Sequence, residues 1–448
     1  MHINVPREVS HIIQTLTEAG YEAYAVGGCI RDSLLRRIPS DWDITTSATP
    51  AQVKELFGHT IDTGIAHGTV TVMRSGVGYE ITTYRIDGEY EDGRHPKQVT
   101  FTASLREDLR RRDFTINAMA YNETEGLIDL FGGMEDLENG VIRAVGEPME
   151  RFSEDALRMM RAVRFAAQLD FAVEEKTAEA ICNLARTLQR ISAERIQTEL
   201  VKLLVSPHPE KIRLLYEYGL TAVFLPEFDA AMKQEQHNPH HAYTVGVHTI
   251  ESLRGIENDR VLRLTMLFHD LGKPACHKTD EQGIDHFKGH PEVSTKIAQE
   301  KMRALKFDRA GMDRVERLIR AHDIRIEPTK KAVRKLMSRL GEEEFFLLLK
   351  VQDADIHAQS DYLRKEKLER QQEVKRLAEE IVADGECISL RTLEVGGKDL
   401  MEIGFEKGPS LGGELARLLE AVLEEPSLNE YETLMTLAKK HLAGSAEG

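Results

Sequence analysis

Apolar residues near the start of the chain fall at Val5, Val9, Ile12, Ile13 and Leu16, three and four positions apart, which predicts an amphipathic helix closed by Gly20. The pattern then changes. Short β-rich runs over 24–26, 42–45, 68–73 and 79–84 are separated by glycines and short helical stretches, as expected of a mixed α/β unit reaching to about residue 130. From Glu154 onward nearly every segment carries helical periodicity, so the fold class should switch to all-α near residue 150. A histidine-rich stretch opens at His237, and residues 361–380 form a highly charged helix. These shifts predict an α/β head over 1–145, a helical neck over 146–235, a histidine-rich helical domain over 236–360, and a connector with a helical tail over 361–448.

Composition narrows the classes. A chain of 448 residues is long enough for several domains, and 41% hydrophobic and 30% charged residues exclude a disordered protein. No run approaches the ~18 apolar residues of a membrane span, so no membrane partner is expected. Cys29, Cys182, Cys276 and Cys387 are scattered without CxxC spacing, which reads as reduced thiols in a cytoplasmic protein. The net charge of -16 argues against a nucleic-acid partner, but its distribution weakens the objection. Arginines crowd at 106, 110, 111 and 112 and again at 151, 158, 161 and 164, and such a local stripe can hold RNA.

Two features of the head point to phosphate chemistry. Paired Gly27 and Gly28 stand between an apolar strand and a helix start, where missing Cβ atoms let backbone N–H groups approach a phosphate that Arg31 could grip. A dozen residues later comes Asp41-Trp42-Asp43. In a β-like run the two-residue period sets both carboxylates on one face, close enough to share divalent cations for nucleotidyl transfer. Beyond them, Thr49 should cap a helix begun by Pro50.

In the neck, Asp155, Arg158 and Arg161 stand three apart on an expected helix. Cytosine and adenine both present an amino donor beside an unprotonated ring nitrogen, so a carboxylate at Asp155 with a guanidinium at Arg158 could read either base. Uracil and guanine would leave buried polar groups unpaired. Arg112, Arg161 and Arg164 would supply triphosphate and base contacts from the same pocket.

Five ordered segments now carry a resemblance: Gly27-Gly28-x-x-Arg31-Asp32, Asp41-x-Asp43, Arg111 to Ala118, Glu154-Asp155-x-x-Arg158, and Ser192 to Ile196. Together they resemble the class II CCA-adding tRNA nucleotidyltransferases, of the poly(A)-polymerase branch of the polymerase-β superfamily. The resemblance implies that Gly28 and Arg31 touch the triphosphate, that catalytic Asp41 and Asp43 bind Mg2+, and that Arg112, Asp155, Arg158, Arg161 and Arg164 hold the incoming nucleotide. It further implies addition of CCA to tRNA from CTP and ATP without a nucleic-acid template. The long polar stretch over 87–96 resembles the flexible loop that CC-only relatives lack, which disfavours a CC-only enzyme. An A-adding-only enzyme and a poly(A) polymerase share the same segments. An HD phosphohydrolase with an inactive head is disfavoured, because Asp41, Asp43, Asp155 and Arg158 are all present.

Downstream, an apolar helical stretch over 262–268 ends in His269-Asp270, with His248 before it and Asp353 in Asp353-Ala354-Asp355 after it. This order resembles the HD phosphohydrolase superfamily and implies a second divalent metal on His248, His269, Asp270 and Asp353, with His290 and His322 as extra ligands. A retained fold that only supports tRNA is the other reading.

Overall fold

The computed structural model describes residues 2–87 and 99–445, so the 87–96 loop lies, but for its first residue, outside the described residues. The chain forms two compact units, residues 1–229 with 303–307 and residues 230–302 with 308–448.

The first unit opens with the expected helix, Arg7–Glu18, which buries Val9, Ile12, Ile13 and Leu16 against the sheet. The strands are β1 (Ala23–Val26), β2 (Ile44–Thr46), β3 (Thr60–Gly64), β4 (Thr69–Arg74), β5 (Val77–Thr83), β6 (Arg85–Asp87), β7 (Val99–Phe101), β8 (Met119–Asn122) and β9 (Gly126–Asp129). Seven of them make one sheet in the order β3-β4-β5-β2-β1-β8-β9, parallel only between β2 and β5. β1 and β2 lie at its centre and are buried throughout, so the turn after β1 and the segment before β2 open at the same sheet end. Three of the four expected β-runs hold their place; the fourth is shifted, as the strand begins at Ile44 rather than 42. β3, β8 and β9 carry too few apolar residues in alternation to announce themselves.

The change of class near residue 150 is observed: Pro148–Glu154, Leu157–Leu169, Glu175–Leu184 and Ala193–Leu204 are helices. One small departure is a parallel strand pair, Val141–Ile142 with Ala172–Val173. Helix Leu157–Leu169 is buried nearly all round, with only Arg161 and Gln168 partly open, as befits a helix at the centre of its unit.

The second unit is helical apart from the hairpin Lys278–Thr279 with Asp285–His286. Helices Val245–Gly255, Arg260–Phe268, Arg309–Ala321 and Glu342–Ala358 surround a histidine cluster. Leu318, Val333, Met337, Phe345, Leu348 and Ile381 build one apolar core there. The charged helix runs Arg364–Ala383, and the final helical pair is Pro409–Glu424 and Tyr431–Ser445, with Leu418, Val422, Leu434 and Ala438 between them. All four cysteines are free. Among the described residues no helix is long and apolar enough to cross a membrane.

Candidate functional site

The turn after β1 is built by glycine for two reasons. Gly27 has φ +85°, and a Cβ there would stand 3.1 Å from Nη1 of Arg112. Gly28 then starts the short helix Gly28–Leu34, which buries Arg31. Arg31 donates from Nη1 to Asn117 Oδ1 at 2.7 Å and from Nε to Asp32 Oδ1 at 2.8 Å. Arg112 is held far more loosely. Its nearest acceptor is Asp108 Oδ2 at 3.4 Å, and its Nε is buried without a hydrogen-bond partner. Asp108 is fully buried, accepts Arg111 at 2.7 Å and Thr45 Oγ1 at 3.1 Å, and anchors this corner. Burial would raise its carboxyl, but Arg111 and Arg112 hold it below the usual range.

Asp41, Trp42 and Asp43 form the extended approach to β2, and the Asp43 carbonyl accepts Val26 N–H at 3.0 Å, one step beyond the β1–β2 ladder. Both carboxylates are solvent-accessible. Asp43 is raised above its ordinary value by the surrounding protein mass, against Arg112, and further by Asp41 and Glu80. The two aspartates therefore share one negative field beside the Gly27 turn.

The neck departs from expectation at Asp155. The helix breaks there, because Asp155 takes φ -142° and its Oδ1 accepts Leu157 N–H at 3.0 Å, capping the next helix instead of extending the last one. Its carboxylate is gripped by Arg195 at 2.6 and 3.3 Å, not by Arg158. Arg158 donates to Glu154 Oε2 at 2.6 Å and to the carbonyls of Arg151 and Arg111 at 3.0 Å. These bonds use three of its five N–H groups. Arg161 pairs with Asp113 Oδ2 at 2.6 Å. Burial would raise Asp113, yet Arg161 outweighs it and brings the carboxyl down to about 2. Arg164 pairs with buried Glu199. Arg31, Arg161 and Arg164 all stand over the Phe165 ring, at 5.1, 5.4 and 3.8 Å from its centre. Phe165, Arg195, Glu199 and Asp108 had no role assigned from sequence. Arg195 sits inside the Ser192 to Ile196 segment, Phe165 lies two turns beyond Arg158 on the same helix, and the last two gave no signal beyond a carboxylate in a helical pattern.

In the second unit, His248, His269, Asp270 and Asp355 converge, all within 4.8 Å of one another. His248 Nε2 is 2.8 Å from Asp355 Oδ1, 3.5 Å from Asp270 Oδ2 and 3.4 Å from His269 Nε2. Burial would lower His269, but Asp270 and Asp355 raise it to about 10, the signature of a site that wants positive charge. The fourth member is Asp355, which corrects the expectation of Asp353. On helix Glu342–Ala358, Leu348, Val351, Gln352 and Asp355 share the inner stripe, whereas Asp353 is half exposed beside His357. Half-buried His241, its ring 5.5 Å from that of His248, is pushed down to about 3 by its partial burial and by Lys273.

Comparison with known proteins fits these parts. The family model described as "Poly A polymerase head domain" matches residues 23–143, that of "Probable RNA and SrmB- binding site of polymerase A" matches 170–232, and "tRNA nucleotidyltransferase domain 2" matches 278–438. The CCA-adding enzyme of Lactobacillus helveticus is 54% identical over 48% of this chain and 54% of its own length. That of Anoxybacillus flavithermus is 52% identical over 51% and 57%. The chain thus spans about half the length of the curated relatives it matches. Among solved structures, the Thermotoga maritima CCA-adding enzyme complexed with tRNA shares the fold, with a TM-score of 0.61 at 19% identity over 99% of this chain and 100% of that one. The Bacillus stearothermophilus CCA-adding enzyme in complex with CTP superimposes with a TM-score of 0.73 at 31% identity, covering 98% of both chains. Head, neck and helical body therefore correspond from end to end, and the chain belongs to the CCA-adding enzyme family.

Proposed function

We propose that this chain adds C, C and A to the 3′ end of tRNA from CTP and ATP in the cytoplasm, with the head over 1–145 as the transferase and the neck over 146–235 as reader of nucleotide and tRNA. The observation that carries the reading is the pairing of the Asp41 and Asp43 carboxylates with an underpaired Arg112 at the Gly27 turn. An all-oxygen pair suits hard cations, and Mg2+ held by Asp41 and Asp43 would activate the RNA 3′-hydroxyl and neutralise the triphosphate. Gly28, Arg31 and Arg112 receive the triphosphate, Arg112 gaining there the acceptor that its Nε lacks. Arg161 and Arg164 line the same side around Phe165. The 3′-oxygen bonds to the α-phosphorus, the α–β bridge breaks, and pyrophosphate leaves.

Base choice falls to Asp155 and Arg158. Arg195 occupies one edge of the carboxylate, which retains lone pairs, and Arg158 retains two N–H groups. The test is incubation of the protein with tRNA ending before CCA, after C and after CC, one nucleotide at a time. Stepwise C, C, A is expected. Incorporation confined to A on the CC end would assign an A-adding enzyme, and runs of A on any RNA a poly(A) polymerase.

A second reading is favoured by the cluster of His248, His269, Asp270 and Asp355. These residues would hold a first-row divalent ion, which supplies Lewis acidity toward phosphoesters. The helical unit would then hydrolyse phosphomonoesters or 2′,3′-cyclic phosphates, trimming damaged tRNA ends before repair. Water oxygen joins phosphorus, the ester P–O bond breaks, and the water protons divide between alcohol and phosphate. A phosphatase and cyclic-phosphodiesterase assay on wild type and on His269→Ala/Asp270→Ala tests it, with Mn2+, Ni2+, Co2+ and Mg2+ supplied separately. Absence of hydrolysis with every ion would reduce this unit to a support for tRNA.

A further inference from the structure

Beside the Gly27 turn, Asn117 is a buried neutral side chain that touches charges of both signs. It ends the short turn Thr115–Asn117, where its backbone N–H donates to the Phe114 carbonyl at 2.9 Å, and this turn folds its side chain back over Asp113. Nδ2 donates to Asp113 Oδ1 at 3.2 Å, and Oδ1 accepts Arg31 Nη1 at 2.7 Å. The backbone reaches the glycine turn as well, since a Cβ on Gly27 would lie 3.8 Å from the Asn117 carbonyl oxygen.

A guanidinium only donates and a carboxylate only accepts, so the amide has a single orientation that satisfies both. Other side chains of this size fail at one end. Leucine would take a partner from Arg31 Nη1 and from Asp113 Oδ1 together, and aspartate would set one carboxylate against another. Each charge is meanwhile fixed on its far side. Arg31 donates from Nε and Nη2 to Asp32 Oδ1, both at 2.8 Å. Asp113 Oδ1 also accepts Phe114 N–H at 2.9 Å, and Oδ2 takes Nε and Nη2 of Arg161 at 2.7 and 2.6 Å. The bonds thus run Asp32, Arg31, Asn117, Asp113, Arg161, from helix Gly28–Leu34 to helix Leu157–Leu169. Arg31 and Arg161 also stand over one ring, 5.1 and 5.4 Å from the centre of Phe165. Two cations drawn to one aromatic plane repel each other, and the amide and carboxylate between them hold their spacing.

We propose that Asn117 is a positioning residue for nucleotidyl transfer, holding Arg31 against Asp113 so that the triphosphate is gripped in register with the base side of the site at Arg161. The inference rests on the transferase reading above and adds a residue to it. Attack needs the α-phosphorus in line between the 3′-oxygen and the leaving pyrophosphate. An Arg31 held by Asp32 alone would still attract the triphosphate but would let it swing. Misplacement of a reacting group by about 1 Å costs on the order of a hundredfold in rate. Because Asn117 acts through Arg31, its removal slows the step more than it weakens binding.

The test is single-turnover addition of C to tRNA ending before CCA, with the full chain and a range of CTP concentrations. Asn117→Leu should lower the maximal rate roughly tenfold or more while KM for CTP moves less than about threefold. Asn117→Asp keeps an acceptor for Arg31 but adds negative charge beside the triphosphate, so KM should rise roughly tenfold with a smaller change in maximal rate. On an Arg31→Ala background, Asn117→Leu should cost less than about twofold further, because the group it positions is gone. A loss that persists undiminished on that background would make Asn117 a support for the turn alone and overturn the proposal. A wild-type rate in Asn117→Leu would overturn it too. Filter binding of tRNA and the thermal unfolding midpoint show whether the leucine variant folds. If it does not, the aspartate variant decides, and an unchanged KM for CTP there counts against the proposal. A wild type that adds no C overturns the transferase reading itself, an outcome separate from any behaviour of the Asn117 variants.

Discussion

The protein sets out two candidate sites for divalent ions in opposite ways. In the head, Asp41 and Asp43 are solvent-accessible, offer only oxygen, and sit on an extended segment at the edge of the sheet centre. In the helical unit, His248, His269, Asp270, His290 and His322 are buried, rich in nitrogen, and fixed by helix termini and backbone carbonyls. The first arrangement offers only two carboxylates and leaves room for the oxygens of a triphosphate, which suits a weakly held hard ion. The second is assembled before any substrate enters, which suits a resident softer ion. Accessibility, not ligand count alone, separates an ion that travels with the substrate from one that stays.

Separating the sites by mutation gives the largest effect. Asp41→Ala or Asp43→Ala should lower nucleotide incorporation roughly a thousandfold or more, since several kcal/mol of transition-state stabilisation go with the cations. Retention of tRNA binding and of the metal content of the helical unit, checked by filter binding and elemental analysis, is expected. Substantial incorporation in both mutants would remove the head from the comparison.

The reading surface comes next. Asp155→Ala should lower discrimination against UTP and GTP by about 10–100-fold, the value of one to three kcal/mol, with a smaller change in affinity for the triphosphate. Competition between labelled CTP and UTP measures it. Because Arg195 grips Asp155, Arg195→Ala should reproduce part of the loss while sparing the rate of correct addition more than Asp155→Ala does.

How much of this was legible in the chain follows from how local the cause was. Thr49 and Gln52 form the capping box that Thr49-Pro50 announced, and the Gly27 turn stands where paired glycines placed it. Both depend on neighbours within a few residues. Asp155 was misplaced because a helical period runs through it, and the side chain that breaks the helix competes with the backbone in a way spacing does not register. Arg195 and Glu199 lie some forty residues from their partners, so only the folded neck joins them.

A third expectation concerns acid. Asp113 falls to about 2 in the folded chain, largely through Arg161, from 3.8 when free. Its contribution is therefore complete above pH 4 and disappears as pH falls through about 2. At one pKa unit per 1.36 kcal/mol the pair is worth about 2 kcal/mol in this nearly buried setting. Denaturant unfolding should show the wild type losing its lead over Asp113→Asn as pH drops from 5 to 2.5, and a constant gap would deny that the pair stabilises the neck.

The smallest effect is also the most diagnostic for the helical unit. Asp353→Ala should change neither bound metal nor stability measurably, because its carboxylate is half exposed and faces only His357, a surface pair of the kind worth under about 1 kcal/mol. Asp355→Ala, two residues on, should remove an ion, since its Oδ1 stands 2.8 Å from His248 Nε2. The two aspartates share a helix and nearly a position, differing by about 200° around its axis, so composition and local charge are the same for both. Elemental analysis of the two mutants side by side isolates helical phase as the cause. Equal loss from both would mean that charge near the cluster, not a lone pair aimed into it, holds the ion.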